Sequence, residues 1–142
     1  MVSIEQLTSE QEWRAFYPVV DGFWPVDTVN QHVECLRTMT AQGYRAFGLT
    51  TEQPVAFAGV YVLTSPWYGT FTWLVDLVTH QEHRGEGCGT RLYEAVETWS
   101  REQGCETIVL ASGVERTRAH QFYEHHGFEA TEYWFEKSLV TD

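Results

Sequence analysis

One stretch limits the fold of this chain more than any other: Val78-Thr79-His80-Gln81-Glu82-His83-Arg84-Gly85-Glu86-Gly87-Cys88-Gly89-Thr90-Arg91-Leu92. It runs from an apolar strand, through a loop with three alternate glycines, into an amphipathic helix. A strand–loop–helix unit of this kind offers backbone N–H groups to a phosphate at the positive end of a helix dipole. Glycine lacks a Cβ, so a ligand can approach the backbone closely. A loop that only needs positive φ angles would carry the same glycines. The context, a strand stopping five residues before Arg84 and a helix beginning near Gly89, favours the phosphate.

Composition narrows the class. With 142 residues, 43% hydrophobic and 15% aromatic, the chain fits one domain, residues 1–142, with a core that needs no staples. Cys35, Cys88 and Cys105 are scattered and odd in number, so neither a disulfide framework nor a zinc site is expected. Reduced thiols, the lack of a leader and the lack of a long apolar run together give a cytoplasmic expectation, with no membrane span. The net charge of −11 argues against nucleic acid as a partner. The bland reading of that charge is solubility. A sharper one is a salty cytoplasm, because Lys137 is the sole lysine beside eight arginines and salt screens acidic surfaces.

The order of elements follows from periodicity and breakers. Val2–Leu7 reads as a strand. Ser9 with Glu12 forms a capping box for a helix carrying Trp13, Phe16, Tyr17 and Val20. Asp21-Gly22-Phe23-Trp24-Pro25 breaks it. Asp27 or Thr28 caps a second helix that ends at Gly43. Strands at Tyr44–Thr50, Val55–Leu63 and Thr70–Thr79 make an antiparallel meander. A helix to Gly104, a buried strand at Thr107–Ser112, a helix over Arg116–His126 and one or two strands within Phe128–Leu139 complete the chain. A meander followed by an αβα crossover implies an α+β fold with a mixed sheet, not a doubly wound one.

A second motif lies about thirty residues beyond the loop: Ala119-His120-Gln121-Phe122-Tyr123-Glu124-His125-His126-Gly127-Phe128. Ala, Phe and Tyr at this spacing are first of all a helix's buried face. Tyr123 is also a candidate proton donor, because a phenol near pKa 10 is protonated at neutral pH. His80-x-x-His83 and His125-His126 lack the accompanying carboxylate or thiol spacing of a metal site, so no metal is expected.

The two motifs, Arg84-x-x-Gly87-x-Gly89 and Ala119-x-x-Phe122-Tyr123-x-x-x-Gly127-Phe128, together resemble the GNAT family of Gcn5-related N-acetyltransferases, over essentially the whole chain. The resemblance implies a mixed sheet of six to seven strands with about four helices, and direct acetyl transfer from acetyl-CoA to a primary amine in a ternary complex. It implies that Gly85, Glu86, Gly87, Cys88, Gly89 and Thr90, with Arg84, hold the pyrophosphate. Leu77, Val78 and Thr79 would pair with the pantetheine arm, one N–H polarising the thioester carbonyl. Tyr123 would contact the cofactor and protonate the leaving thiolate. Family members often have Lys or Arg where this chain has Glu86, and some place a Glu base where it has Ala111. Asp76, which interrupts the apolar strand, is the candidate base, with His80 and His120 behind it. An ordinary strand residue is the equal alternative for Asp76. Asp21, Phe23, Trp24, Asp27, Tyr133 and Trp134 are expected at the acceptor, where aromatics and carboxylates suit a cationic amine. Tryptophans in the core are the competing reading. A homodimer is a family habit without an identifiable interface here. An acyl-CoA sensor without turnover is the alternative function.

Overall fold

The computed structural model describes residues 1–140. The chain divides into two compact units, Met1–Val109 and Leu110 onward. The first holds a five-stranded sheet in the order β1 (Ser3–Leu7), β2 (Arg45–Thr50), β3 (Pro54–Ser65), β4 (Gly69–Thr79), β5 (Thr107–Val109). Neighbours are antiparallel except β4 and β5, which are parallel. The mixed α+β layout is as expected, with five strands among the described residues in place of six or seven.

The helices begin and end where their sequences say. Ser9 and Glu12 close a reciprocal capping box on α1 (Glu10–Ala15). The expected single helix is in fact two: α1 stops at Phe16, and α2 (Tyr17–Val20) restarts with Pro18 in its first turn. Pro18 has no N–H to give Arg14, so an unbroken helix would lose a bond there, whereas a first turn tolerates it. The Thr28 hydroxyl accepts from Gln31 N and starts α3 (Val29–Ala41), which Gly43 ends at φ +107°. Helix α4 spans Cys88–Glu102.

The sheet carries a helix layer on each face. On one, Trp13, Phe16, Val19, Val20, Val33 and Leu36 bury against Tyr44, Ala46, Phe57 and Val78. Gly48 belongs to that face, and a Cβ there would overlap the Phe16 ring. On the other face Trp99 of α4 packs edge-on against Phe47, and Thr72 donates to Ser100 Oγ at 2.7 Å.

The feature that shapes the site is a bulge in β4. Gly59 pairs with Asp76, yet the next residue, Val60, pairs with Leu74, which leaves Val75 as an inserted residue. One inserted residue reverses the in–out alternation and bends the strand. Asp76 therefore lies on the face of α1–α3, and Leu74 on the opposite face. Pairing with β5 ends at Trp73↔Val109, just before the bulge. The fifth strand is accordingly shorter than the expected Thr107–Ser112, and Leu74–Thr79 have no partner strand on that edge among the described residues.

The second unit contains α5 (Thr117–His125), closed by Gly127 at φ +91° with Gly127 N donating to Glu124 O. Residues 128–140 contain no regular element, so the expected strands within Phe128–Leu139 are not formed. The aromatic run Tyr133-Trp134-Phe135 suits a strand, but a strand exists only through pairing with a neighbour, which composition cannot supply.

Candidate active site

The glycine loop joins β4 to α4 through a short 3₁₀ turn, Gln81–His83. Gly85 and Gly87 stand at φ +84° and +83°, a region that L side chains rarely adopt, with open space where a Cβ would project. Gly87 is the N-cap of α4 and supplies no side chain to its amides. Gly87 O accepts from Arg91 N at 3.1 Å, so the amides before Arg91 lie ahead of the helix ladder by construction. They are the donors at the positive end of a fifteen-residue helix. Gly89 serves packing instead. A Cβ there would sit 3.3 Å from Thr79 Oγ1, so its absence lets α4 approach the end of β4. Cys88 is buried at the first helical position.

The charges around this loop are arranged unevenly. Arg84 and Arg91 are exposed, and Arg84 Nε donates to Thr79 O at 3.4 Å. Glu86, the unfavourable acid of the sequence, lies 3.2 Å from His83 Nδ1, and His83 Nε2 lies 3.0 Å from Gln53 Nε2. The carboxylate is thus tied to the outer turn.

A cleft of about 250 Å3 adjoins the loop, lined on one side by Val78, Thr79, His80, Gln81 and Arg84 and on the other by Pro18, Val19, Asp21, Gly22 and Phe23. Asp21 and Phe23 are therefore cleft residues. Trp24 is partly buried and is not among the residues that line the cleft. Asp27 is exposed and donates its backbone N–H to Gln31 Oε1, as part of the entry to α3. Tyr133 and Trp134 stand 86% and 64% exposed on an irregular segment instead of on the strand that was to present them.

Asp76 proves to be the centre of a buried network that sequence reasoning missed. It is 9% exposed. Its Oδ1 accepts from Trp24 Nε1 at 2.8 Å and its Oδ2 from Tyr44 Oη at 2.6 Å. Burial pushes the carboxyl above its usual range, while the two donors pull it down. Burial, then the Asp76 charge, pushes the Tyr44 hydroxyl well above 10.0, so it stays a donor. Gly59 makes room for this contact, since any Cβ there would overlap the Tyr44 hydroxyl. The available signal was a lone acid in an apolar strand together with a glycine in the middle of another.

The histidines named as lesser bases are also committed. His80 Nδ1 accepts from Glu82 N at 3.1 Å, so in the neutral ring Nε2 carries the proton. His120 Nε2 lies 2.8 Å from Gly113 O, and because a carbonyl only accepts, that nitrogen is the protonated one. On α5, Tyr123 is half-buried against the edges of Phe122 and Phe128. Burial raises its pKa, with Arg116 opposing, so the phenol is protonated at neutral pH. No three His, Cys, Asp or Glu side chains gather as a metal site would need among the described residues, and no described helix is long and apolar enough to cross a membrane.

Comparison with known proteins agrees with this anatomy. The chain is 31% identical over 144 residues to the uncharacterized N-acetyltransferase YhdJ of Bacillus subtilis (strain 168), covering 98% of this chain and 100% of that one. A shorter stretch of 49 residues, 34% of this chain and 32% of the relative, is 41% identical to an aminoglycoside N(6')-acetyltransferase type 1 of Stenotrophomonas maltophilia. Among solved structures, an aminoglycoside N-acetyltransferase, AAC(6')-Iy in complex with CoA, superposes with a TM-score of 0.82 at 18% identity, over 99% of this chain and 96% of that one. The model of the acetyltransferase (GNAT) family matches residues 8–128. The chain belongs to the GNAT family of acetyltransferases and is an acyltransferase of that family.

Proposed function

We propose that this protein transfers the acetyl group of acetyl-CoA directly to a primary amine of a small molecule, and that residues 1–142 act as one catalytic domain. The observation that carries the reading is the loop. Two glycines at positive φ set the N-terminal amides of α4 beside a β4 edge that lacks a partner strand among the described residues. Gly85, Glu86, Gly87, Cys88, Gly89 and Thr90 would hold the pyrophosphate through main-chain N–H groups, with Arg84 adding charge. Leu77, Val78 and Thr79 would offer that edge of β4 to the pantetheine arm, and one of their amides would polarise the thioester carbonyl. The family match, which runs through both compact units, supports a single domain.

The acceptor amine would enter the cleft between Asp21–Phe23 and Val78–Arg84. The Asp21 carboxylate and the Phe23 ring suit a cation, and the partial likeness to an aminoglycoside acetyltransferase supports a small polyamine-like or aminosugar acceptor. The amine attacks the thioester carbon as a neutral species, its proton passing to cleft water, and the carbon–sulfur bond breaks. Tyr123 would protonate the departing thiolate, for which its raised pKa keeps a proton available. A cytoplasmic setting suits the three unpaired thiols.

The test is release of free thiol from acetyl-CoA in the presence of spermidine, kanamycin and a lysine-bearing peptide. Turnover on one of them, falling about 100-fold in kcat in Tyr123→Phe with acetyl-CoA affinity retained, is the expected result. Tight binding without turnover on any amine would instead identify an acyl-CoA sensor.

A further inference from the structure

Asp76 is the sequence's candidate for the proton acceptor, and its surroundings assign it other work. We infer that the Asp76 carboxylate is a positioning residue, a latch that fixes the Asp21–Trp24 turn and so the acceptor wall of the cleft. The inference rests on the acetyltransferase reading of that cleft.

The turn is held by its backbone, by Tyr17 beside Asp21 and by its inner side. Chain direction reverses after α2 through Phe23 N→Val20 O and Trp24 N→Val20 O, both 2.9 Å, with Gly22 at φ +83° and a bridge between Asp21 and Trp24. Three residues of this turn, Asp21, Gly22 and Phe23, line the cleft and are exposed. With the outer side exposed, the buried anchorage of this turn comes from its inner side. Trp24 supplies the inner side. Its ring lies edge-on to Phe57 at 5.5 Å and 5.4 Å from the His32 ring, and its Nε1 reaches Asp76 Oδ1. A hydrogen bond to a charged acceptor is among the stronger kinds, enough to hold a short turn in one place.

The second oxygen of Asp76 is held by Tyr44, immediately before β2, against the bulge that set the carboxylate on this face. The remaining titratable neighbours are Tyr61, whose pKa is raised by its own burial and then by Asp76, and His32, whose ring burial pushes below its usual value. Neither is among the residues that line the cleft. Both oxygens are engaged by neutral donors, the group is nearly enclosed, and the residues that line the cleft do not include it. A group so placed orients a wall.

The two donors give an internal control. Trp24→Phe and Tyr44→Phe each remove one hydrogen bond from the same carboxylate, but only Trp24 belongs to the turn. The experiment is steady-state kinetics with acetyl-CoA and whichever of spermidine, kanamycin or the peptide turns over, on folded protein checked by thermal melt. Trp24→Phe should raise the amine KM about tenfold with kcat within about threefold, while Tyr44→Phe should leave KM within about twofold. Asp76→Asn, which still accepts from Trp24, should keep kcat within about fivefold and keep the acid limb of the kcat/KM–pH profile. A fall of about 100-fold or more in kcat of Asp76→Asn with loss of that limb would overturn the latch and make Asp76 the base. So would an unchanged KM in Trp24→Phe. If the wild-type protein acetylates no amine, the functional reading fails first. The latch is then judged by hydrogen exchange at the Trp24 indole N–H, and a rate unchanged between wild type and Asp76→Ala would refute it.

Discussion

The glycine loop and the Asp76 network lie only a few residues apart on the same strand–loop–helix unit, yet they are built on opposite plans. The loop spans Arg84–Gly89 at the surface, and what it offers is backbone: positive φ at Gly85 and Gly87 and helix amides with no capping side chain. The network is side chain throughout, enclosed, and joins residues 32 and 52 positions apart in sequence. The loop leaves its helix amides without a capping side chain, and the network closes its two donors on one carboxylate. Removing a donor from the network should therefore register as lost stability, and a substitution in the loop as lost binding.

The sharpest way to break that contrast is Gly59→Ala. The new methyl would displace the Tyr44 hydroxyl from Asp76, overfilling the face and stripping a buried carboxylate of a donor. A loss of about 3 kcal/mol or more in urea unfolding is expected. A loss under about 1 kcal/mol would mean that the network contributes little to stability. The matching change in the loop is Gly87→Ala. The space around it is open, so only the positive φ resists, at about 1–2 kcal/mol. Acetyl-CoA affinity should fall about 10- to 100-fold as amides tilt out of line. Titration calorimetry and a melt on the same sample separate the two effects.

A smaller effect distinguishes the two regions by pH. Burial holds Asp76 above the ordinary carboxylate value of 3.8, so the fold favours its protonated form. For a raised pKa, the favourable contribution is present below the unfolded value and is lost as pH rises through the folded one. The ionised group thus costs stability at neutral pH. Asp76→Asn should raise Tm at pH 7, and the gain should shrink toward zero near pH 3. A gain that is the same at both values would contradict the burial account. Smallest of all is Glu86→Gln. Removing an exposed acid from the glycine loop should tighten acetyl-CoA about two- to threefold in low salt and not at all in 1 M salt, where screening extends to about 3 Å.

The loop was readable because its physics is local. Glycines at fixed offsets between a strand and a helix state their own purpose, as do the Ser9–Glu12 box and the Thr28 cap. The network was not readable, although Asp76 stands out in the sequence. Its role depends on the bulge at Val75, which decides the face that residue 76 occupies, and a bulge belongs to strand pairing and not to one segment. The same limit explains residues 128–140, whose aromatic run Tyr133-Trp134-Phe135 suggests strands. The break at Phe16 was legible in principle, since Pro18 stands in the middle of the expected helix. Its Trp13–Val20 periodicity concealed it, because two short helices in sequence bury nearly the same stripe.

Main-chain amides of the loop, more than side-chain charge, are held to bind acetyl-CoA, and titrating ¹⁵N-labelled protein with acetyl-CoA tests this directly. The account predicts large amide shifts at Gly85, Gly87, Cys88, Gly89 and Thr90, persisting in Arg84→Ala with at most a few-fold weaker affinity. Loop amides that do not move while acetyl-CoA binds elsewhere, or binding abolished by Arg84→Ala alone, would contradict it.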